Sequence, residues 1–268
     1  MTRRTSNLYA LPSSRRRIRS GSGGFTMVEI AIAIAIVAFA LTAIIGVMPT
    51  GLQVQRENRE DTIINQDAQL WLEAIRNGQI HLDYLTNHVL LIQRIDAKTT
   101  RTFFAGKDFY AAHHIIGLLT YPQYMSNNPN LPPDSSRRAV AIVRALTGTA
   151  AEQSPIATNV AFLYQLTVQI APPVTGYSWN TNMTEFHSVT KLVRQSNYLR
   201  TRTLQYYSHE IRLDFRWPVV WIGQGRYRVG RNHRVYRTLA LGVLSMLDAP
   251  EFPLELYRIQ PLRMGIIR

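Results

Sequence analysis

The chain of 268 residues contains no cysteine. Disulfide frameworks and thiolate metal sites are therefore excluded, and a fold outside the cytoplasm has to rest on packing alone, which this length permits. Acids are scarce too: 17 Asp+Glu stand against 30 Lys+Arg, for a net charge of +13. No acid falls within the first 24 residues, which hold Arg3, Arg4, Arg15, Arg16, Arg17 and Arg19, so the remainder carries +7. Charge of either sign is missing between Ile30 and Gln55, and from Ile30 to Met48 only Thr42 is polar. No Ser/His/Asp order, paired-carboxylate constellation or Walker loop stands out, so the chain is not expected to be an enzyme or to need a cofactor.

What is there begins with that uncharged run. It meets the ~20 residues that a bilayer-spanning helix needs. The IAIAIAI alternation has the period of a strand, but both alternating sets are apolar, and a lone strand in lipid leaves its backbone unpaired where a helix satisfies it internally. The arginines before the run orient the N-terminus to the cytoplasm by the positive-inside rule. A single acid, Glu29, stands at the front of the run.

Three processing readings compete. Ala38-Phe39-Ala40 offers an A-x-A-like signal-peptidase site. Ser14-Arg15-Arg16-Arg17-Ile18 offers paired arginines for twin-arginine export. The third starts from a basic leader ending in Gly24, followed by Phe25-Thr26-Met27-Val28-Glu29, which resembles the prepilin motif of the type IV pilin and type II secretion pseudopilin family: a glycine, an aromatic residue, and a glutamate fifth in the mature chain. An acid at the centre of an inserted helix costs ~2.5–3.5 kcal/mol, less toward the interface, and neither export signal gains by keeping one.

The resemblance implies that a prepilin peptidase cuts between Gly24 and Phe25 and that the Phe25 amine is N-methylated. Glu29 is then the assembly contact, pairing with the Phe25 amine of a neighbouring subunit and selecting axial register, as a buried polar group does in a coiled coil. The plain alternative for Glu29 is a tolerated interfacial acid on an ordinary anchor. The RLDFRW (Arg212–Trp217) and YRTLALG (Tyr236–Gly242) stretches faintly resemble the large pilin-like proteins of the Verru_Chthon cassette family. The C-terminal cysteine pair of many pilins is missing, which favours a pseudopilin or minor pilin.

Beyond the anchor, Leu52 to Asn77 is helical in period. Ile64, Ala68, Trp71 and Ile75 fall at i, i+4, i+7 and i+11, and Asn77-Gly78 is a stop. Counted from Phe25, the helix spans 53 residues, ~80 Å, and Gly46, Pro49 and Gly51 weaken it just past the apolar run. Two further helices are expected, Ile80 to Ile95 and Asp108 to Leu119, the latter N-capped by Asp108 with Pro122 just beyond its end. Tyr121 to Arg138 reads as a loop, and Ala139 to Leu146 as a strand or helix. Val160, Phe162, Tyr164, Leu166, Val168 and Ile170 share one face of a strand ended by Pro172-Pro173. Tyr207, His209, Ile211, Leu213, Phe215 and Trp217 share one face of another, alternating with polar residues. Trp221 to Arg228 reads as a hairpin turning at Gly223-Gln224-Gly225, and Val235 to Leu244 as a strand.

The expected fold is therefore α+β and pilin-like: a long N-terminal helix, transmembrane in its first half, laid on an antiparallel sheet. The expected organisation is a cleaved leader over 1–24, a membrane or filament-core half-helix over 25–51, an amphipathic half-helix over 52–78 and a globular head over 79–268.

Other chemistry is weaker. His81, Asp83 and His88, or His113-His114, match no known ligand spacing, and adjacent helical histidines diverge by ~100°, so no metal is expected. Gly223-x-Gly225 with Gly230 is a turn rather than a dinucleotide fingerprint. Residues 191 to 237 hold Lys191, Arg194, Arg200, Arg202, Arg212, Arg216, Arg226, Arg228, Arg231, Arg234 and Arg237 against only Glu210 and Asp214. With Tyr198, Tyr227 and Tyr236 interleaved, they offer a surface for nucleic acid or an anionic glycan. Alternation by itself also yields such a solvated strand face.

Three functions follow. The first is a structural subunit of a type II secretion or type IV pilus-like filament. It would sit single-pass in the inner membrane with a periplasmic head, be extracted into the filament, and have other pilin or pseudopilin subunits and the prepilin peptidase as partners, with a platform protein and an assembly ATPase acting indirectly. The second is a minor pilin-like adhesin that captures DNA or acidic glycan on its basic face. The third is a membrane-anchored extracytoplasmic protein with no filament role.

Overall fold

A computed structural model describes residues 24–79, 81–123, 136–147, 162–173, 196, 199–200, 203–223 and 226–262. Helix α1 runs from Met27 to Arg76 and contains Pro49. The chain divides into two compact units between Arg56 and Glu57.

In the first unit the residues of α1 are exposed all round, including Ile32, Ile36, Phe39, Ile44 and Val47. A helix that is apolar on every side suits lipid or a protein core rather than water. By length and composition α1 can cross a membrane.

In the second unit, the expected stripe of α1 is buried: Ile64, Ala68, Trp71 and Ile75 are all fully covered. Spacing of three or four residues stacks them on one side of the helix, and each large side chain contributes on the order of 2 kcal/mol by leaving water. The helix stops at Asn77-Gly78 as the sequence indicates. Gly78 takes φ +55°, and its amide donates to Ile75 O while Gln79 N donates to Ala74 O, the two-bond glycine termination that satisfies the last free carbonyls. Only glycine fits there, because a Cβ would lie 2.2 Å from Ile259 O.

The rest of this unit is built on one antiparallel seven-stranded sheet with strands β1 (Val89–Ile95), β2 (Thr100–Phe104), β3 (Arg138–Arg144), β4 (Leu163–Ala171), β5 (Ser208–Gly223), β6 (Arg226–Leu247) and β7 (Leu256–Pro261). Their order across the sheet is β2-β1-β3-β4-β5-β6-β7. The alternating sets of β4 and β5 behave as their period demands. Tyr164, Leu166, Val168, Ile170, Ile211, Leu213 and Phe215 join the stripe of α1 in one core, while Arg212, Asp214 and Arg216 face away. Val160 lies outside the described residues, and Tyr207 precedes β5 and is exposed.

Two expected helices are corrected. Ile80 lies outside the described residues, and the segment after it forms a five-residue 3-10 helix, Asp83–Asn87, followed by strand β1. Both faces of β1 are covered, Ile92 by the main core and Leu91 by a second cluster. A strand buried on two sides loses the alternation that would distinguish it from a helix. Helix α2 starts late, at Ala112, and ends at Leu119. Asp108 does not cap it, because its carboxylate accepts the Phe104 amide at 2.7 Å, closing the turn after β2. The β1–β2 connection is likewise closed by Asp96, which accepts the Lys98 and Thr99 amides.

The β5–β6 hairpin is longer than either sequence segment suggests, pairing from Ser208↔Leu241 to Gly223↔Arg226. Gln224 and Gly225, where the sequence places the turn, lie outside the described residues, and Val235 to Leu244 is the later part of β6. The register shifts between Trp217 and Val219. At this point a Cβ on Gly230 would lie 2.5 Å from Trp217 O, so two backbones cross closely. Beyond the shift the hairpin covers the second face of the sheet. Val219, Val229 and Tyr227 pack with Leu91, Ile142 and Leu163, and the Tyr227 hydroxyl donates to Gln93 Oε1 at 3.3 Å.

Candidate functional site

At the start of α1, Gly24 is exposed and Phe25 is 80% exposed. Nothing within 4 Å would meet a Cβ on Gly24. Thr26 caps the helix: its Oγ1 accepts the Glu29 amide at 3.3 Å, and Glu29 Oε2 accepts the Thr26 amide at 3.3 Å and the Thr26 hydroxyl at 3.2 Å. This reciprocal capping box satisfies two amides that the first helical turn leaves free. The negative charge also sits where the helix dipole favours it. The Thr26-x-x-Glu29 spacing announces the cap in the sequence, and it gives Glu29 a local role besides the expected assembly contact. Positions 1–23 of the expected leader lie outside the described residues.

Among the described residues, the basic candidates fall on both faces of the sheet. Lys191, Arg194 and Arg202 lie outside the described residues, and Arg200 is exposed. Partners across an antiparallel pair share a face. Arg234 stands opposite buried Phe215, on the side of α1, where its guanidinium donates to Asp61 Oδ2 and Asn65 Oδ1, both at 2.9 Å. Arg212 stands opposite Arg237 and Arg216 opposite His233 on the other face, with Asp214 3.8 Å from Arg216. Arg226, Arg228 and Arg231 are exposed along the first part of β6. The tyrosines serve packing: Tyr236 hydrogen-bonds Asn65 and meets Phe215 edge-on at 5.6 Å, Tyr227 is half-buried as described, and Tyr198 lies outside the described residues.

Two buried polar groups anchor the second unit. Asp67, fully covered, accepts Leu146 N at 2.8 Å and the Thr147 hydroxyl at 2.6 Å. Burial raises its pKa despite these donors. Beside it the Trp71 indole donates to Tyr164 Oη at 2.9 Å. Arg94 on β1 donates to Leu118 O, Gly117 O and Glu255 O at 3.1, 2.6 and 2.9 Å and stacks over Tyr121. It thus occupies carbonyls that the end of α2 would leave free, where a cation is favoured. Burial lowers its pKa to about 10, which leaves it charged at neutral pH.

The histidine candidates separate. His88 Nδ1 lies 3.0 Å from Ala145 O, a packing role. His113 and His114 instead converge, their ring centroids 4.1 Å apart, although their helix positions point ~100° away from each other. Both Nε2 atoms approach Glu251 Oε1, at 3.6 and 3.1 Å. Glu251 was invisible as a partner because it lies on the β6–β7 connection, far along the chain.

No protein-family model, curated protein or solved structure matches the chain. What is established is an α+β chain whose long N-terminal helix is apolar enough to span a membrane and whose second unit packs the later part of that helix on an antiparallel sheet.

Proposed function

We propose that the chain is a structural subunit, a pseudopilin or minor pilin, of a type II secretion or type IV pilus-like filament. One observation carries the reading: Gly24-Phe25 and Glu29 stand at the mouth of a helix that is apolar and exposed on all sides over its first turns. Cleavage before Phe25 frees a positive amine at the N-terminus of that helix, where the dipole opposes it. A carboxylate from a neighbouring subunit neutralises it in a medium of low dielectric. The helix that spans the inner membrane then becomes the filament core.

The capping box sharpens the experiment. Glutamine is accepted at the third helical position of a capping box, so Glu29→Gln keeps the helix start and removes only the charge, whereas Glu29→Ala removes both. Native-host expression should yield a membrane-extracted protein whose intact mass begins at a methylated Phe25. Both variants should still be cleaved yet fail to be recovered with the filament. Retention of the leader, or equal recovery of Glu29→Gln and wild type, leaves the membrane-anchored reading in its place.

A further inference from the structure

We propose that His113 Nε2, His114 Nε2 and a carboxylate oxygen of Glu251 form a binding site for a divalent transition-metal ion, Zn2+ by its donor set, with water completing the coordination. The argument starts from distance. A tetrahedral Zn2+ holds nitrogen at ~2.0–2.1 Å and carboxylate oxygen at ~2.0–2.2 Å, which sets its donors roughly 3.4 Å apart. The two Nε2 atoms lie 3.6 and 3.1 Å from Glu251 Oε1, and the ligand atoms of the three residues all fall within 4.8 Å of one another. Two imidazoles and a carboxylate suit zinc in hardness and in number, leaving one position open.

The donors are also held in place from outside the cluster. His114 is 4% exposed, and its ring lies against Phe252, with centroids 5.1 Å apart and planes 35° apart. Phe252 in turn packs on Phe103, and its amide donates to Ala249 O across the turn that carries Glu251. The His114 ring therefore keeps its place without an ion. The side chains of His113 and Glu251 are 32% and 57% exposed, which gives an ion and its water a way in. Bound there, the ion ties the first turn of α2 to the β6–β7 connection, a cross-link for a chain without cysteine. The site lies wholly in the second unit and does not depend on filament assembly.

The test uses the untagged full chain in detergent, stripped with a chelator, and Zn2+ alone as the probe. Calorimetry should show one ion per chain and a raised melting temperature, and Co2+ in its place should give the visible absorption of a tetrahedral site. His113→Gln and Glu251→Gln, both at partly exposed side chains, should each weaken Zn2+ binding by at least about tenfold, since even second-shell changes cost that much. His233→Gln, at an exposed histidine on β6, should bind as wild type does. Failure of the wild-type chain to take up Zn2+, or unchanged affinity in both the His113 and Glu251 variants, overturns the proposal.

Discussion

The approach of the turn that ends α1 to the sheet can be measured with two glycines. Gly78 and Gly106 both hold a positive φ, +55° and +73°, a region that costs an L side chain ~1–2 kcal/mol. Replacing glycine by alanine also stiffens the unfolded chain, which returns ~0.4–1 kcal/mol. At Gly106 a new Cβ meets nothing within 4 Å, so Gly106→Ala should cost about 1 kcal/mol, the net of those two effects. At Gly78 the same methyl falls 2.2 Å from Ile259 O, and the gap must open beyond 3.0 Å. Either β7 gives way along its pairing with β6, or the helix end gives up its bonds to Ile75 O and Ala74 O. Two hydrogen bonds at ~1 kcal/mol each, added to the backbone cost, put Gly78→Ala near 3 kcal/mol. For a chain of this size that is a drop of roughly 6–12 °C in melting temperature, against 2–4 °C for Gly106→Ala. Thermal unfolding of both variants by near-ultraviolet circular dichroism in one detergent decides it. Equal losses would mean that the end of α1 does not sit on β7, and the packing described above would be wrong.

Two further outcomes follow from the buried polar groups. Asp67 has a raised native pKa, so its contribution to stability is complete below the unfolded carboxylate value of ~4 and is lost as pH rises through the native value. The melting gap between wild type and Asp67→Asn should therefore narrow from pH 4 to pH 7; a widening gap would show that the Leu146 and Thr147 donors outweigh burial. Arg94→Lys should cost about 2–4 kcal/mol despite keeping the charge, because an ammonium cannot serve three carbonyls in the plane of one guanidinium. Amide exchange at the end of α2 reads this directly, and unchanged protection at Leu119 and Thr120 would refute it.

The legible parts of the fold are those with one wet face. The stripe on α1 and the alternation on β4 and β5 are read correctly because solvent on the far side enforces polar residues there. The segment β1 was misread because the distal hairpin covers its second face, and Leu91 and Ile92 in succession then carry no period. Strands β2 and β7 went unmarked for a different reason. They are short edge strands, Thr100–Phe104 and Leu256–Pro261, and their burial does not alternate from residue to residue, so no period of two marks them. The cap on α2 failed because Asp108 had a nearer amide to serve, at Phe104.

The candidate sites divide along the same line between local and distant information. Thr26 and Glu29 are three residues apart, so the capping box is legible in the sequence. The bond draws on the preference of a carboxylate for the positive amides at a helix start, and the proposed assembly contact would draw on the same preference. The basic cluster was legible as composition and not as surface. Strand parity sends Arg234 toward Asp61 and Asn65, and Arg212, Arg216 and Arg237 the other way, so these four arginines divide between two faces. The histidine pair reverses the argument. A 100° step between neighbours rules out a shared ligand only when both side chains point straight out, and the third donor that draws them together comes from a turn 137 residues later in the chain, a distance over which no spacing rule operates.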